Sequence, residues 1–505
     1  MTQLPQVDDS PPWRVAIGFA AGGSTNRDGA RGAGLPRLDA MTEAVQRRPL
    51  PAAFARELAA AFGPRFTTSA AECLQHGRDE SAYAPMPPDA VLYASSTEEV
   101  AQAVRLCAAH RVPVIPYGVG SSVEGHLLAL RGGLSIDLSR MDQVLAVRPQ
   151  DLSATAQAGC TREGLNAALR GTGFFFSVDP GANASLGGMA ATAASGTNTV
   201  RYGTMRDNVL ALMVVTADGS IVRTARRARK SSAGYCLTQL FAGSEGTLGI
   251  ITEVTVRLHP QPEAIAAAVV CFPGVREAVE TVIEAMQSGV PLARAEMLDS
   301  LTIRAINVHS RTTLTEAPTL FLEFSGSEAQ VQEQSGVLRE LAEAHGGGDF
   351  QWATRPEERS RLWTPRHHAY FACLQLRPGS RSLTTDACVP LSALAECIAE
   401  TVEDIATSGL IAPVFGHVGD GNFHCLLLVD PASVEEAALA ESLSERIVRR
   451  AIRHDGTCTG EHGVGLHKMR YLEEEHGEVA VAVMRRIKQA LDPLDILNPG
   501  KVVQV

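Results

Sequence analysis

The stretch "PGANASLGGMAATAASGTNTVRYG" (180–203) constrains this chain more than any other, because eleven of its twenty-four residues are Gly or Ala. A segment so poor in side chains puts little bulk in the way of a neighbour. It leaves bare backbone against which something large and flat can lie. Two further loops repeat the theme. "IPYGVGSSVEGH" (115–126) follows the apolar run "VPVI", and Gly118, Gly120 and Gly125 allow the positive φ that lets successive N–H groups wrap a phosphate. It is not a Walker A loop, since His126 stands where Lys is required, and the third glycine of G-x-G-x-x-G is missing. "FAGSEGTLGIIT" (241–252) adds Glu245, suited to one specific polar contact. Three such loops exceed what turns need, and a dinucleotide threaded between two subdomains accounts for them. Tight packing of backbone on backbone is the plainer alternative.

A second constraint lies in "VFGHVGDGNFHCLLLVD" (414–430), where two histidines flank Gly-Asp-Gly-Asn. If Gly419 to Asn422 form the loop of a hairpin, His417 faces His424 directly. Opposed residues share one face with Cβ atoms about 5 Å apart, so both imidazoles reach one ion. A turn whose histidines merely hydrogen-bond fits this stretch equally well. Asp420 reads as a turn residue.

With 505 residues the chain holds two or three domains, and a net charge of −11 argues against nucleic acid as a partner. Ten scattered cysteines without a C-x-x-C pair suit free thiols in a reducing compartment. No apolar run approaches a membrane span, and the N-terminus shows no export signal. The expectation is a cytoplasmic protein, with peripheral membrane contact left open.

Residues 1–50, rich in Gly, Pro and Arg, read as a poorly ordered extension. From 51 to 260 short apolar runs ("AVLYAS", "VPVIPYG", "GLSIDLS", "LALMVVTADGSIV", "GIITEVTVRLHP") alternate with helical patterns, and Asp218-Gly219 closes a hairpin. "TEEVAQAVRLCAAH" predicts a helix after a Ser-Thr-x-Glu start. "HPQPEA" (259–264) marks a boundary. Beyond it strands and amphipathic helices predict a second, ferredoxin-like α+β layer over 261–440, and 441–505 follows as a C-terminal segment. The fold class is α+β.

The ordered set "PYGVGSSVEGH", "DPGANASLGGMAATAASGTN", "RYGTMRDNV", "FAGSEGTLGIITEVTVRLHP", "GHVGDGNFH", "GTCTGEHGVG" and "LNPGK" resembles the FAD-linked oxidases of the vanillyl-alcohol oxidase type. The resemblance covers about residues 70–503 and is strongest to the D-lactate dehydrogenases that reduce a cytochrome or similar acceptor. It implies a two-part FAD domain of the PCMH type, a cap over the flavin ring and a C-terminal segment returning to the flavin. Pro116, Gly118, Gly120, Ser121, Ser122 and Glu124 would cradle the pyrophosphate. Pro180, Gly181, Ser185, Gly188, Thr192, Ser195 and Gly196, with Glu245, Gly246, Gly249 and Ile250, would line the adenosine and flavin. Asn498 would bring the C-terminus back. His126 follows a pattern similar to the non-covalent members, so the FAD is expected to dissociate.

The same resemblance places a divalent metal on His417, His424 and Glu461, with Zn or Mn the leading candidates. It makes His462 the base and Arg366, rather than Arg361, the cation for the substrate carboxylate. The implied reaction is oxidation of a small D-2-hydroxy acid, D-lactate to pyruvate first among them. The metal lowers the hydroxyl pKa, and hydride passes to flavin N5. D-2-hydroxyglutarate dehydrogenases of this type carry a lysine where Thr384 stands and an asparagine at Leu426, so a short monocarboxylic acid fits better than a diacid. Glycolate and D-2-hydroxyglutarate remain alternatives. A flavin-free metal hydrolase would leave the three small-residue loops unexplained. Cytochrome, quinone and electron-transfer flavoprotein are all open as acceptors, as is assembly into a homodimer.

Overall fold

The computed structural model describes residues 47–505. The extension anticipated over 1–50 therefore lies almost wholly outside the described residues. The runs read as strands all become strands. A first sheet orders Phe66–Thr67, Ala90–Tyr93, Leu134–Asp137 and Val114–Tyr117, the last three parallel. Parallel strands are covered on both faces. Helices Ala52–Phe62 and Thr97–His110 cover one face here, their Phe54, Leu58, Val100 and Val104 packing on Leu92, Leu134 and Ile136. Thr97–His110 starts where its capping signal lies, since Ser96 accepts from the Glu99 N–H.

A second sheet is antiparallel, in the order Val144–Arg148, Ser153–Gln157, Ile250–Arg257, Val209–Val215, Ile221–Arg223. Its last pair closes at Asp218-Gly219 as expected, with Asp218 accepting from Thr216 and Ser220 and Gly219 at φ +77°. At "HPQPEA" the chain passes from this sheet to the next. His259–Pro260 still pairs with Phe174–Phe175, and Ala264–Cys271 opens an eight-stranded antiparallel sheet. Four of its strands, Gly348–Ala353, Ala264–Cys271, Thr319–Gly326 and Arg294–Leu298, lie side by side in that order. Numbered along the chain this is 4-1-3-2, the ferredoxin-like arrangement. Val414–Gly416, Asn422–Val429 and Arg381–Thr384 extend the sheet.

Helix Val434–Arg453 runs unbroken across residue 440 and buries Ala440, Leu443, Ile447 and Ala451 in the cap core. The chain then returns to the first lobe. Helix Glu478–Leu491 and the turn after it are pinned by Lys488, whose buried ammonium donates to Asp492 and to the carbonyls of Thr247 and Leu497. Leu497 bridges to Val114 of the first sheet.

Lys501 is sealed beside this return with its Nζ donating to the Leu128 carbonyl at 2.8 Å. Burial pulls its pKa down to about 7. An unfolded lysine titrates near 10.4, so between these values the unfolded chain binds more protons and stability rises with pH. Lys501→Met removes the titration. The stability of wild type relative to this variant is expected to climb by up to about 1.4 kcal/mol per pH unit above pH 7. Urea unfolding of both proteins at a series of pH values reads the slope.

Candidate active site

The hairpin differs from the sequence expectation by its register. Phe415 pairs with His424 and Val414 with Cys425, and the N–H groups of Asp420 and Asn422 donate to the His417 carbonyl. The loop is therefore Val418–Gly421, and His417 faces Asn422 instead of His424. The reason is the turn itself, because Gly421, at φ +80°, packs against the Val389 carbonyl and sits in the bend. His424 lies two residues beyond the new partner, so the side-chain period of two keeps both rings on one face. They meet diagonally, with ring centroids 5.5 Å apart.

Glu461, on the loop after helix Val434–Arg453, places Oε1 3.3 Å from His417 Nε2 and 3.2 Å from His424 Nε2. The far nitrogens are taken. His417 Nδ1 is 2.6 Å from Glu296 Oε1, and His424 Nδ1–H donates to the Thr385 carbonyl at 3.1 Å. An acceptor on each Nδ1 leaves Nε2 facing Glu461, where it offers a lone pair once it carries no proton. With a cation in place of the His417 proton, the three converging atoms are a set that could hold a metal ion. The three ligating atoms lie within 4.8 Å of one another.

Several of these partners were invisible in the sequence. Glu296 lies on Arg294–Leu298, whose Met297 pairs with Gly416, so the next step of the ladder sets it beside His417. Its other oxygen accepts from Arg366 Nε at 3.1 Å and Nη2 at 2.6 Å. Burial alone would raise the Glu296 carboxyl and lower His417. Their mutual attraction, with Arg366 and Glu461, outweighs it, holding Glu296 below the carboxylate range and His417 well above the usual imidazole value. Arg366, expected as the cation for a substrate carboxylate, thus has two nitrogens on Glu296, and its guanidinium lies over the Phe415 ring.

Asp386 is the second missed residue. Fully buried between Arg381–Thr384 and Ala387–Cys388, it accepts from the N–H groups of Glu461 and His462 at 2.9 and 2.8 Å and from the Thr459 hydroxyl at 2.7 Å. Asn422 donates to its other oxygen. Burial would raise this carboxyl, but His462, Lys468 and His424 hold it far below its ordinary range. His462 stacks on His424 at 5.1 Å, its Nδ1 3.8 Å from Glu124 and 3.9 Å from Asp386. Asp420, read as a turn residue, is half-buried in the bend, and desolvation there pushes its carboxyl up to about 7.

The small-residue loops meet beside this site. A Cβ on Gly118 would stand 2.5 Å from Ser185 Oγ, and one on Gly246 would stand 2.4 Å from Pro116. The first and second loops, and the first and third, therefore touch through missing side chains. Among the described residues no N–H from Gly118 to Ser122 donates to a protein acceptor. Ser185 caps helix Leu186–Thr192, with Gly188 on its first turn and Thr192 at its end. Glu124 is no open cradle group, since it is buried against Lys468 Nζ at 2.8 Å. Glu245 is likewise committed, its two oxygens accepting from the Val464 and Gly465 N–H groups. Ser195 donates to Glu461 Oε2 at 2.6 Å. Asn498 does return to this lobe, donating to the carbonyls of Glu245 and His126. Thr384 and Leu426 prove to be direct cross-strand partners.

Residues 88–225 match the FAD binding domain family and residues 261–502 the C-terminal domain of FAD linked oxidases. The chain belongs to the FAD-linked oxidases. Over 85% of its length it is 50% identical to the probable mitochondrial D-lactate dehydrogenase of Danio rerio, covering 87% of that protein. It is 45% identical to the mitochondrial D-lactate dehydrogenase (cytochrome) of Arabidopsis thaliana, over 92% of this chain and 82% of the relative. Glycolate oxidase subunit GlcD of Bacillus subtilis is 33% identical over 87% of this chain and 94% of its own. In the fold, this FAD-linked oxidase is similar to p-cresol methylhydroxylase, with a TM-score of 0.75 at 17% identity over 91% of this chain and 99% of that one. No helix among the described residues is long and apolar enough to cross a membrane.

Asp386→Ala strands the donors of Glu461, His462, Thr459 and Asn422 at once. Loss of about 3 kcal/mol is expected from chemical denaturation. Faster proteolytic cleavage within 457–465 is expected before global unfolding.

Proposed function

We propose that this FAD-linked oxidase is a D-lactate dehydrogenase, oxidising D-lactate to pyruvate and passing the electrons to a cytochrome-type acceptor. The observation that carries the reading is the convergence of His417, His424 and Glu461 beside three small-residue loops, in a chain 40–50% identical to four relatives named as D-lactate dehydrogenases.

The first loop fits FAD, because its unengaged N–H groups from Gly118 to Ser122 form a nest for a pyrophosphate. Gly181, with no heavy atom within 4 Å of a built Cβ, leaves the second loop open to a flat ring. We read the FAD as non-covalent, held by Pro116, Gly118, Gly120, Ser121, Ser122, Pro180, Gly181, Gly188, Gly196 and Gly249. When bound, FAD supplies the hydride acceptor. His417, His424 and Glu461 would hold a divalent ion such as Zn²⁺ or Mn²⁺, which would lower the pKa of a substrate hydroxyl bound to it.

The protein's own groups do the rest. His462 takes the hydroxyl proton at Nε2, and the charge left on the ring faces the Glu124 and Asp386 carboxylates beyond Nδ1. Arg366 meets the substrate carboxylate, its plane fixed by Glu296. Thr384 opposite Leu426 offers no second cation, which favours a short monocarboxylic acid over a diacid.

We divide the chain into an FAD lobe to about 260, a cap, and a C-terminal segment. Helix Val434–Arg453 supports moving the second boundary from 440 to its end. Ten unpaired cysteines support a reducing compartment, and we place the protein in the cytoplasm. The label "mitochondrial" belongs to the eukaryotic relatives.

Anaerobic mixing with D-lactate is expected to bleach the flavin and L-lactate to leave it oxidised. Faster bleaching by D-2-hydroxyglutarate would overturn the choice of substrate. His417→Ala should keep the yellow colour and slow reduction by about 100-fold. Unchanged reduction by that variant would remove the cation from the reaction.

A further inference from the structure

One segment touches all three small-residue loops. Thr459–Gly465, with Leu466 after it, carries Glu461 and His462 and crosses the face of the FAD lobe. From the first loop, the Glu124 carbonyl accepts the Leu466 N–H at 2.9 Å. From the second, Ser195 Oγ donates to Glu461 Oε2 at 2.6 Å. From the third, Glu245 receives the Val464 and Gly465 N–H groups at 2.7 and 2.8 Å.

These contacts are made at close quarters. A Cβ on Gly463, at φ +84°, would stand 2.7 Å from Glu245 Oε1 and 3.0 Å from His126 Nε2. One on Gly465 would stand 2.2 Å from the Glu124 carbonyl. Glu245 itself holds φ +53°, and Asn498 ties its carbonyl to that of His126. The segment therefore has little freedom to move without the loops, and the loops have little freedom without the segment.

Glu461 divides its two oxygens accordingly. Oε1 faces the imidazoles and Oε2 is fixed by Ser195, so the second small-residue loop decides which oxygen is offered to the cation site. On the cap side, Asp386 secures the same backbone through Glu461 and His462. The cap thus holds one edge of the segment, and the FAD lobe holds the other.

We propose that this shared wall makes FAD binding and divalent-cation binding interdependent, with Ser195 and Glu245 as the positioning residues that transmit the effect. FAD settling on the three loops fixes Ser195 and Glu245, and these preset Glu461. A cation drawing on Glu461 Oε1 fixes Ser195 and Glu245 in the reverse direction. Linkage requires the two effects to be equal in size. The inference rests on the functional reading above, which assigns a cation to this site.

The test uses the full chain stripped of flavin and metal. FAD affinity is titrated by flavin fluorescence with and without saturating Zn²⁺ and, separately, Mn²⁺. Cation affinity is measured with and without FAD. In wild type each ligand is expected to tighten the other by the same factor, about tenfold. In Ser195→Ala that factor should fall toward one while both ligands still bind, and Ser195→Thr should restore it. Glu245→Gln, which turns an amide donor toward one of two N–H groups, should reduce the factor independently. Independent binding in wild type, or undiminished coupling in both Ser195→Ala and Glu245→Gln, overturns the inference and leaves the functional reading standing. Absence of any cation uptake overturns both.

Discussion

Asp386 is the constraint on which the rest of the site hangs. A carboxylate with no exposed surface is tolerable only when donors or cations surround it. Here the surroundings are two backbone N–H groups, a hydroxyl, an amide, Lys468 at 3.5 Å and the flanking histidines. Satisfying that one charge dictates the path of the Thr459–Gly465 loop. The path of the loop brings Glu461 to His417 and His424 and lays His462 on the His424 ring. The cap sheet thus positions Glu461 and His462 through the Asp386 carboxylate.

The same logic recurs at the other buried charges. Glu296 is compensated by His417 and Arg366, Glu124 by Lys468, and Glu245 by two backbone N–H groups. Each compensation joins segments far apart in the chain, and most join the FAD lobe to the C-terminal segment or one cap strand to another. The interior of the site is consequently a set of cross-lobe ion pairs and hydrogen bonds instead of an apolar seam. Such networks are sensitive to geometry, because an unmatched partner in a low-dielectric interior is far more costly than in water.

Much of the fold was legible in local pattern. The strands around Val91, Ile115, Ile136, Leu212 and Val254 follow from short β-branched runs between turn signals, and helix Thr97–His110 from its cap and apolar spacing. The ferredoxin-like order of the cap followed from the alternation of strand and helix. The hairpin was legible in kind and wrong in register, because the close contact of Gly421 with Val389 comes from a segment outside the hairpin and leaves no mark in the loop's own residues. Parity protected the conclusion, since the slip moved the pairing partner by two.

By itself the sequence determined the bare, side-chain-poor loops, the two histidines on one face and the free thiols, since each depends on residue type and near-neighbour spacing. Only the tertiary structure decided that Glu296 and Asp386 hold the site together, that Glu124, Glu245 and Ser195 bind protein groups, and that Arg366 carries a carboxylate partner already. The physical reason is that burial and pairing of charge are settled between segments far apart in the chain, 70 residues for Arg366 and Glu296 and 266 for Ser195 and Glu461, where periodicity along the chain carries no information.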